Sequence, residues 1–157
     1  MNIIIAGDGK VGGSLARKLS AEGYNITLID SNAKVLDATL ERYDVMVVHG
    51  NCTLMSVLAN ADVENTQLLI AATSADEINL LCCMTAHKMN PNLHTIARIR
   101  NPEYSEQIYK MRDAFGLSMT VNPEKQTAIE IERLLKYPEF LRRDTFAKGR
   151  VELVELR

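Results

Sequence analysis

The sequence predicts an α/β fold, a doubly wound parallel sheet of six strands, and three observations carry the prediction. Short apolar runs of strand length alternate with stretches of helical periodicity as far as about residue 135. A glycine-rich turn, Gly7-Asp8-Gly9-Lys10-Val11-Gly12, follows the first apolar run and opens a helical pattern. A second apolar run, Ile26-Thr27-Leu28-Ile29, then stops at an acid, Asp30. Strands separated by helices require right-handed crossovers, which place helices on both sheet faces and give the strand order 3-2-1-4-5-6.

Each element follows from its own residues. Ile3-Ile4-Ile5-Ala6 is the first strand. Val11 to Glu22 carries Val11, Leu15 and Leu19 on one helical face, and Glu22-Gly23 marks its end. Residues 25–30 form the second strand. Ser31 or Asn32 caps the next helix, whose buried face is Val35, Leu36 and Leu40, and Asp44 breaks it. Val45 to His49 is a short apolar run, as expected of a strand covered on both faces. A helix from Thr53 to Ala59 leads to the fourth strand, Leu68 to Ala72, and Thr73-Ser74 is a polar turn that can cap the following helix. That helix, Asp76 to Met89, is long and is terminated by Asn90-Pro91; Cys82, Cys83 and Met84 are expected to pack in its core face. The fifth strand spans about His94 to Ile99, a helix runs from Glu103 to Met111, and a short sixth strand covers Ser118 to Val121.

Pro123 opens a last helix to about Leu135, with Ile129, Ile131, Leu134 and Leu135 apolar over more than one face. Packing against two surfaces explains such a helix better than one domain alone. Tyr137-Pro138 ends it. Arg150 to Arg157 alternates Val151, Leu153 and Leu156 with charges, like a strand that begins and stops. The expected organisation is a nucleotide-binding domain over residues 1–136, then a linker and the start of a truncated carboxyl-terminal domain over 137–157.

Composition narrows the function classes. The chain has 157 residues, 46% of them hydrophobic, enough for one domain with a real core. The net charge of −2 gives no basic footprint for nucleic acid, and Arg142-Arg143 reads as a solvated pair. Cys52, Cys82 and Cys83 have neither zinc-ligand spacing nor a C-x-x-C pattern, and Met1 to Ala6 is too short and uncharged for a signal peptide. A reduced, cytoplasmic compartment is the expectation. Apolar runs fall short of the roughly twenty residues of a membrane span, so any membrane association is expected through a partner.

The glycine turn carries the chemistry. A G-x-G-x-x-G alone is weak, but here it follows a strand, opens a helix and has an acid roughly twenty residues on, the context that the motif requires. Gly7 allows a tight turn off the strand, Gly9 has no Cβ to obstruct pyrophosphate, and Gly12 lets the helix pack on the sheet. Free N–H groups and the positive end of the helix dipole then face the phosphates. Asp30 can accept hydrogen bonds from both hydroxyls of a ribose and would repel a 2′-phosphate, which favours NAD(H) or a plain adenine nucleotide over NADP(H). This is a Rossmann-like site.

In such sheets the ligand lies outside the carboxyl ends of the strands, at the switch point between strands 1 and 4. The residues just after each strand are therefore the site candidates, Gly7, Asp8, Gly9, Lys10, Val11, Gly12, Asp30, Gly50, Asn51, Cys52, Thr53, Thr73, Ser74 and Arg98, and Ser31, Asp76 and Asn79 are added to the expected binding set. Lys10, a cation at the dipole's positive end, reads as a phosphate contact, with a solvated lysine as the alternative. Asn51 either meets adenine or caps a helix. Cys52 reads as a small buried filler ahead of a redox sensor. Arg98, and Arg100 by strand alternation, can reach phosphate or pair with the Asp76-Glu77 carboxylates. His49, His87 and His94 are scattered and suit neither a metal site nor a base pair, and no catalytic set is assigned.

These residues together resemble the nucleotide-binding (RCK, KTN or TrkA-N) domain of Trk-type potassium-uptake regulatory subunits, the TrkA-like proteins. The resemblance rests on Ile3 through Gly13, Asp30, Gly50-Asn51, Thr73-Ser74-Ala75-Asp76-Glu77-Ile78-Asn79, Ile96-Ala97-Arg98-Ile99-Arg100-Asn101-Pro102-Glu103-Tyr104 and Asn122-Pro123-Glu124. It covers essentially the whole chain; the glycine loop is generic, while the segments at 73–79 and 97–104 are specific to the family. It implies a non-catalytic domain that binds NAD(H) or ATP/ADP in the cytoplasm and assembles as a dimer, tetramer or larger homo-oligomer. It further implies a membrane-embedded potassium translocation subunit as partner, which holds the protein at the inner face of the membrane. Lys10 would then reach the terminal phosphate of ATP, and Glu124 matches a family acid near the nucleotide or a cation, although one carboxylate makes no metal site. Asn51 departs from the family's frequent aspartate. Full-length relatives carry a small carboxyl-terminal domain or a second tandem half, so the chain is expected to be the amino-terminal part of a longer protein.

An NAD-dependent oxidoreductase is the competing class. It needs a substrate domain and a group poised to move a proton with the hydride. Only residues 137–157 follow the last helix, too few for a substrate pocket.

Overall fold

Three consecutive isoleucines make β1 (Asn2–Ala6) the middle of the structure, buried from Ile3 onward. In the computed structural model, which describes residues 1–136, 140–146 and 151–156, β1 pairs in parallel with β2 (Asn25–Asp30) on one side and β4 (Leu68–Ala71) on the other. Ile5 stands opposite Leu28 and Ile70. β3 (Met46–His49), β5 (His94–Arg98) and β6 (Met119–Val121) complete a parallel sheet in the order β3-β2-β1-β4-β5-β6. This is the expected doubly wound, Rossmann-like sheet.

Alternation along β1 divides the core in two. Ile3 and Ile5 face a cluster with Ala16, Ile26, Leu28, Leu36 and Ile70. Ile4 and Ala6 face the opposite cluster with Leu58, Leu69, Ala97, Cys82, Cys83 and Ala86. α1 (Lys10–Ala21) and α2 (Ala33–Leu40) cover the first face. α3 (Met55–Asn60) and α4 (Asp76–Met89) cover the second. Each fully buried isoleucine or leucine contributes about 1.5–3 kcal/mol, so the apolar runs themselves drive this layering.

Several expectations give way to local geometry. β3 is an edge strand, with Met46 67% exposed, because only β2 flanks it. Leu40, expected in the core face of α2, lies at the helix end and is 47% exposed. The α2 cap is Asn32 rather than Ser31: the Asn32 side chain accepts the Lys34 N–H at 3.1 Å. α3 starts after residues 51–54 have turned, so it begins at Met55 and not at Thr53. On α4, Cys82 and Cys83 are buried as expected, but Met84 is turned outward and 39% exposed. α5 (Pro102–Met111) follows the Asn101 cap, whose side chain accepts the Glu103 N–H.

The chain divides into two units, Met1–Val121 and Asn122–Arg157. In the second, Pro123 opens α6 (Pro123–Lys136), and the Asn122 side chain accepts the Lys125 N–H. α6 buries none of its residues; Ile131, Leu134 and Leu135 are exposed. β7 (Phe140–Phe146), which carries no clean alternation in the sequence, pairs antiparallel with β8 (Val151–Leu156). Tyr137-Pro138 lies outside the described residues, as do Arg150 and Arg157 and the side chains of Arg142 and Arg143. Among the described residues no helix is long and apolar enough to cross a membrane.

Candidate functional site

The carboxyl ends of β1, β2, β4 and β5 open on one crevice of about 600 Å³. It lies where the strand order reverses between β1 and β4, the ligand position of doubly wound folds. Its lining brings together Gly7, Gly9, Lys10, Val11, Asp30, Ser31, Gly50, Asn51, Cys52, Thr73, Ser74 and Arg98.

The floor is main chain. Gly7 leaves β1 at φ +98°, and a Cβ there would lie 2.9 Å from the Thr73 backbone, so the turn and the close approach both require glycine. A Cβ on Gly12 would lie 1.8 Å from the Gly7 carbonyl oxygen, which is how tightly α1 is seated on the loop. A Cβ on Gly9, by contrast, would meet nothing within 4 Å: it would project into open crevice, the space that a diphosphate takes above the α1 N-terminus. The residues present thus fit a nucleotide diphosphate. Lys10 is exposed on the first turn beside this space.

Asp30 is oriented before any ligand arrives. Its Oδ2 accepts the Asp8 N–H at 2.7 Å and its Oδ1 accepts the Asn32 N–H at 2.8 Å. A carboxylate has about four lone-pair sites, so acceptor capacity remains on both oxygens for a pair of ribose hydroxyls. The His49 ring donates from Nε2 to the Ser31 carbonyl at 3.0 Å and steadies the same corner.

Five residues of the expected set are not among those lining the crevice: Asp8, Gly12, Asp76 and Asn79, which are buried, and Thr53, which is half-buried. Asp8 is buried, with its carboxylate accepting the Thr39 hydroxyl at 2.5 Å. Burial pushes its pKa up, the charge of Asp30 adds to the rise, and the Thr39 hydroxyl opposes it. Thr53 donates its N–H and its hydroxyl to Asn51 Oδ1 at 3.0 and 2.9 Å, so that oxygen caps the local turn, and Asn51 is one of the residues lining the crevice.

Asn79 is the hub of the far wall. Its Oδ1 accepts the Thr73 N–H at 2.8 Å and the Thr73 hydroxyl at 2.7 Å, while its Nδ2 donates to the Arg98 carbonyl at 2.8 Å. These bonds occupy Thr73, so neither Thr73 nor Ser74 caps α4: the residue before the helix is Ala75, with no side-chain cap. Asp76 does comparable work one turn earlier. Its Oδ2 accepts the Arg100 and Asn101 N–H groups at 2.9 and 2.8 Å, and the Arg100 guanidinium approaches its Oδ1 and bonds the Ser74 carbonyl. Arg100 therefore serves the loops, and Arg98 is the arginine on the crevice, with Nη1 donating to the Thr73 carbonyl at 3.5 Å.

Three lining residues escape a reading based on polar chemistry: Ile29, Ala72 and Ile78. Ile29 and Ala72 are the last apolar residues before the two turns, and Ile78 stands exposed on the first turn of α4. An exposed isoleucine one turn into the helix that follows a site strand was the available signal.

Fold and crevice together define a nucleotide-binding domain of the Rossmann-like class. The family model of the TrkA-N domain matches residues 3–123, and the chain belongs to that family. It is 37% identical over 160 residues to the Trk system potassium uptake protein TrkA of Vibrio alginolyticus, covering all of this chain and 35% of that protein. It is 35% identical over 156 residues to the protein of that name from Haemophilus influenzae, covering 98% of this chain and 34% of that one. The chain thus spans about a third of these relatives. Among solved structures it is similar to the TrkA-N domain of the inner membrane protein ybaL of Escherichia coli, at 25% identity and a TM-score of 0.76, covering 85% of this chain and 96% of that one. It is also similar to the Shewanella denitrificans Kef carboxyl-terminal domain in AMP-bound form, at 26% identity and a TM-score of 0.66, covering 86% and 82%. The GsuK protein bound to ADP is similar at 25% identity and a TM-score of 0.63, covering 77% and 31%.

Proposed function

We propose that this chain is the nucleotide-sensing domain of a regulatory subunit of a Trk-type potassium uptake system. It binds NAD(H) or ATP/ADP in the crevice and passes the state of that site to a membrane-embedded potassium translocation subunit. One observation carries the reading: the glycine loop, the Asp30 carboxylate and Arg98 line the same cavity at the switch point of the sheet. Adenine nucleotides in two similar solved structures support the ligand class, and the naming of the relatives supports the transport system.

The nucleotide-binding domain is taken as residues 1–136, with 137–157 leading into a carboxyl-terminal part. The exposed apolar positions of α6 support assembly as a homo-oligomer, a dimer, tetramer or larger, on the cytoplasmic face of the membrane. A nucleotide shifts such an assembly only through different affinities for its two states. The naming of the relatives as uptake-system proteins supports a ligand-binding role.

Calorimetric titration with ATP, ADP, NAD and NADH tests the reading. At least one should bind with micromolar or better affinity, and neither NAD with a panel of hydroxy acids nor NADH with the matching keto acids should give an absorbance change. Oxidation or reduction of the nicotinamide with any of these acids would return the oxidoreductase class.

A further inference from the structure

α4 is apolar on two faces. One of them, with Asn79, Leu80, Cys82, Cys83 and Ala86, is buried. The other is open: Ile78, Leu81 and Met84 are 41%, 44% and 39% exposed. By contrast α1, which covers the opposite face of the sheet, presents Lys10, Ser14, Arg17 and Lys18 to water, as an ordinary amphipathic helix does. The apolar surface continues at the start of α3, where Leu54 and Met55 are more than half exposed and Met55 shares a groove of about 420 Å³ with Met84. A contiguous exposed apolar surface of this kind marks an interface.

The open face carries its own complement. Glu77, Leu81, Met84 and Lys88 are all exposed and recur at i, i+4, i+7 and i+11, a single row along the helix. The row reads acid, apolar, apolar, base, with its two charges about three turns or 16 Å apart. Turned end for end, a second copy of the row lays Lys88 on Glu77, Glu77 on Lys88, and Met84 on Leu81. Each contact is thus made twice, which is what a two-fold, self-complementary interface requires. The Tyr104 hydroxyl donates to Glu77 Oε1 at 2.7 Å, and a carboxylate so held has acceptor capacity for an ammonium besides. Antiparallel helices also set their dipoles in favourable opposition.

We propose that α4 pairs with α4 of a second copy of this chain, antiparallel about a two-fold axis. The pair deepens the homo-oligomer reading, on which it rests, and uses a face other than α6. Leu81 and Met84 of both copies make the dry centre, Ile78 flanks it, and a Glu77–Lys88 ion pair closes each end. Burial of the apolar centre holds the copies together. The exposed ion pairs add little strength but fix the direction, because a parallel arrangement would set acid beside acid and base beside base. Ile78 is also a crevice residue, so the pair borders the nucleotide site.

Sedimentation velocity over a concentration series tests this on the 157-residue chain and on its Leu135→Glu variant, which charges the exposed face of α6. Both should self-associate, and Leu81→Glu should lose the association that Leu135→Glu retains. Glu77→Lys and Lys88→Glu should each weaken pairing about tenfold, since each turns two attractions into two repulsions. A Glu77→Lys copy then carries two bases in the row and a Lys88→Glu copy two acids, so an equimolar mixture should associate as tightly as the parent. The double variant Glu77→Lys, Lys88→Glu should recover alone. These positions are exposed, and far-UV circular dichroism should show each variant folded as the parent is. A mixture that associates no more tightly than the single variants overturns the antiparallel pair. Association unchanged by Leu81→Glu overturns the α4 face and leaves the homo-oligomer reading on another surface. A parent chain that stays monomeric throughout the series overturns both.

Discussion

The Asp30 carboxylate accepts the backbone N–H of Asp8 at 2.7 Å, so the acid at the end of β2 also fixes the second residue of the glycine loop. Asp30→Ala is therefore expected to act twice. Adenine-nucleotide affinity should fall by about 1–3 kcal/mol through loss of charge-assisted bonds to ribose, and the freed N–H groups should lower stability as well. Asp30→Asn keeps an acceptor for the loop and should recover stability ahead of affinity. Equal affinity of Asp30→Ala and parent by calorimetry would remove the ribose role.

Lys10 stands beside the space above the α1 N-terminus. Lys10→Ala should weaken ATP by up to about 1 kcal/mol, the scale of an exposed ion pair, and NAD by less. Parallel titrations with the two ligands read the difference. An equal loss for both would put the contact on the shared diphosphate.

Asn79 bonds both Thr73 and the Arg98 carbonyl from a fully buried position. Asn79→Leu matches the volume roughly but strands these groups, and should lower stability by at least about 2 kcal/mol. Asn79→Asp keeps Oδ1 but sets a second acceptor against the Arg98 carbonyl, so it should also destabilise. Urea midpoints measure both; a midpoint for Asn79→Leu matching the parent would contradict the hub.

Asp8 gives a pH dependence of defined sign. Its folded-state pKa is raised above the usual 3.8, first by burial, so between that value and the raised one the native state holds more protons than the unfolded chain. In that window stability falls as pH rises, and above it the penalty of a buried charge is fully present. Asp8→Asn, which retains an acceptor for Thr39, should be more stable than the parent at pH 7, with a gap that narrows as pH is lowered through the window. Denaturation of both at several pH values checks this; a gap that widens on acidification would reverse the assignment.

The sheet was legible because Ile3 to Ala6 and Ile26 to Ile29 are apolar runs of strand length bounded by glycine and acid, and crossover handedness then leaves few topologies. Position in the sheet was less legible: the Met46 and Leu40 side chains are as apolar as those in the core, and only the place of β3 at the edge and of Leu40 at a helix end exposes them. The site was read from ligand chemistry, which picks out Asp30 and Lys10. It does not distinguish a polar side chain that faces the crevice from one that holds its wall. Asn79 and Asp76 carry the same atoms as ligand contacts, yet their partners are backbone groups of neighbouring loops. That depends on which loops fold side by side, a long-range fact that no local spacing encodes.

The crevice offers two different materials to a nucleotide. On the proposed nucleotide reading, phosphate would meet main chain, where the 1.8 Å limit at Gly12 admits no substitution, whereas sugar would meet one side chain, Asp30. Selection can therefore retune which nucleotide is recognised without disturbing the sheet, but only along a narrow path. Any replacement at position 30 has to keep an acceptor for the Asp8 N–H, so glutamate, asparagine and serine are open to drift while arginine and lysine are closed to it. A lineage that moved toward 2′-phosphorylated ligands would have to place its new cation elsewhere, with the neighbouring Ser31 as the nearest position on the crevice wall.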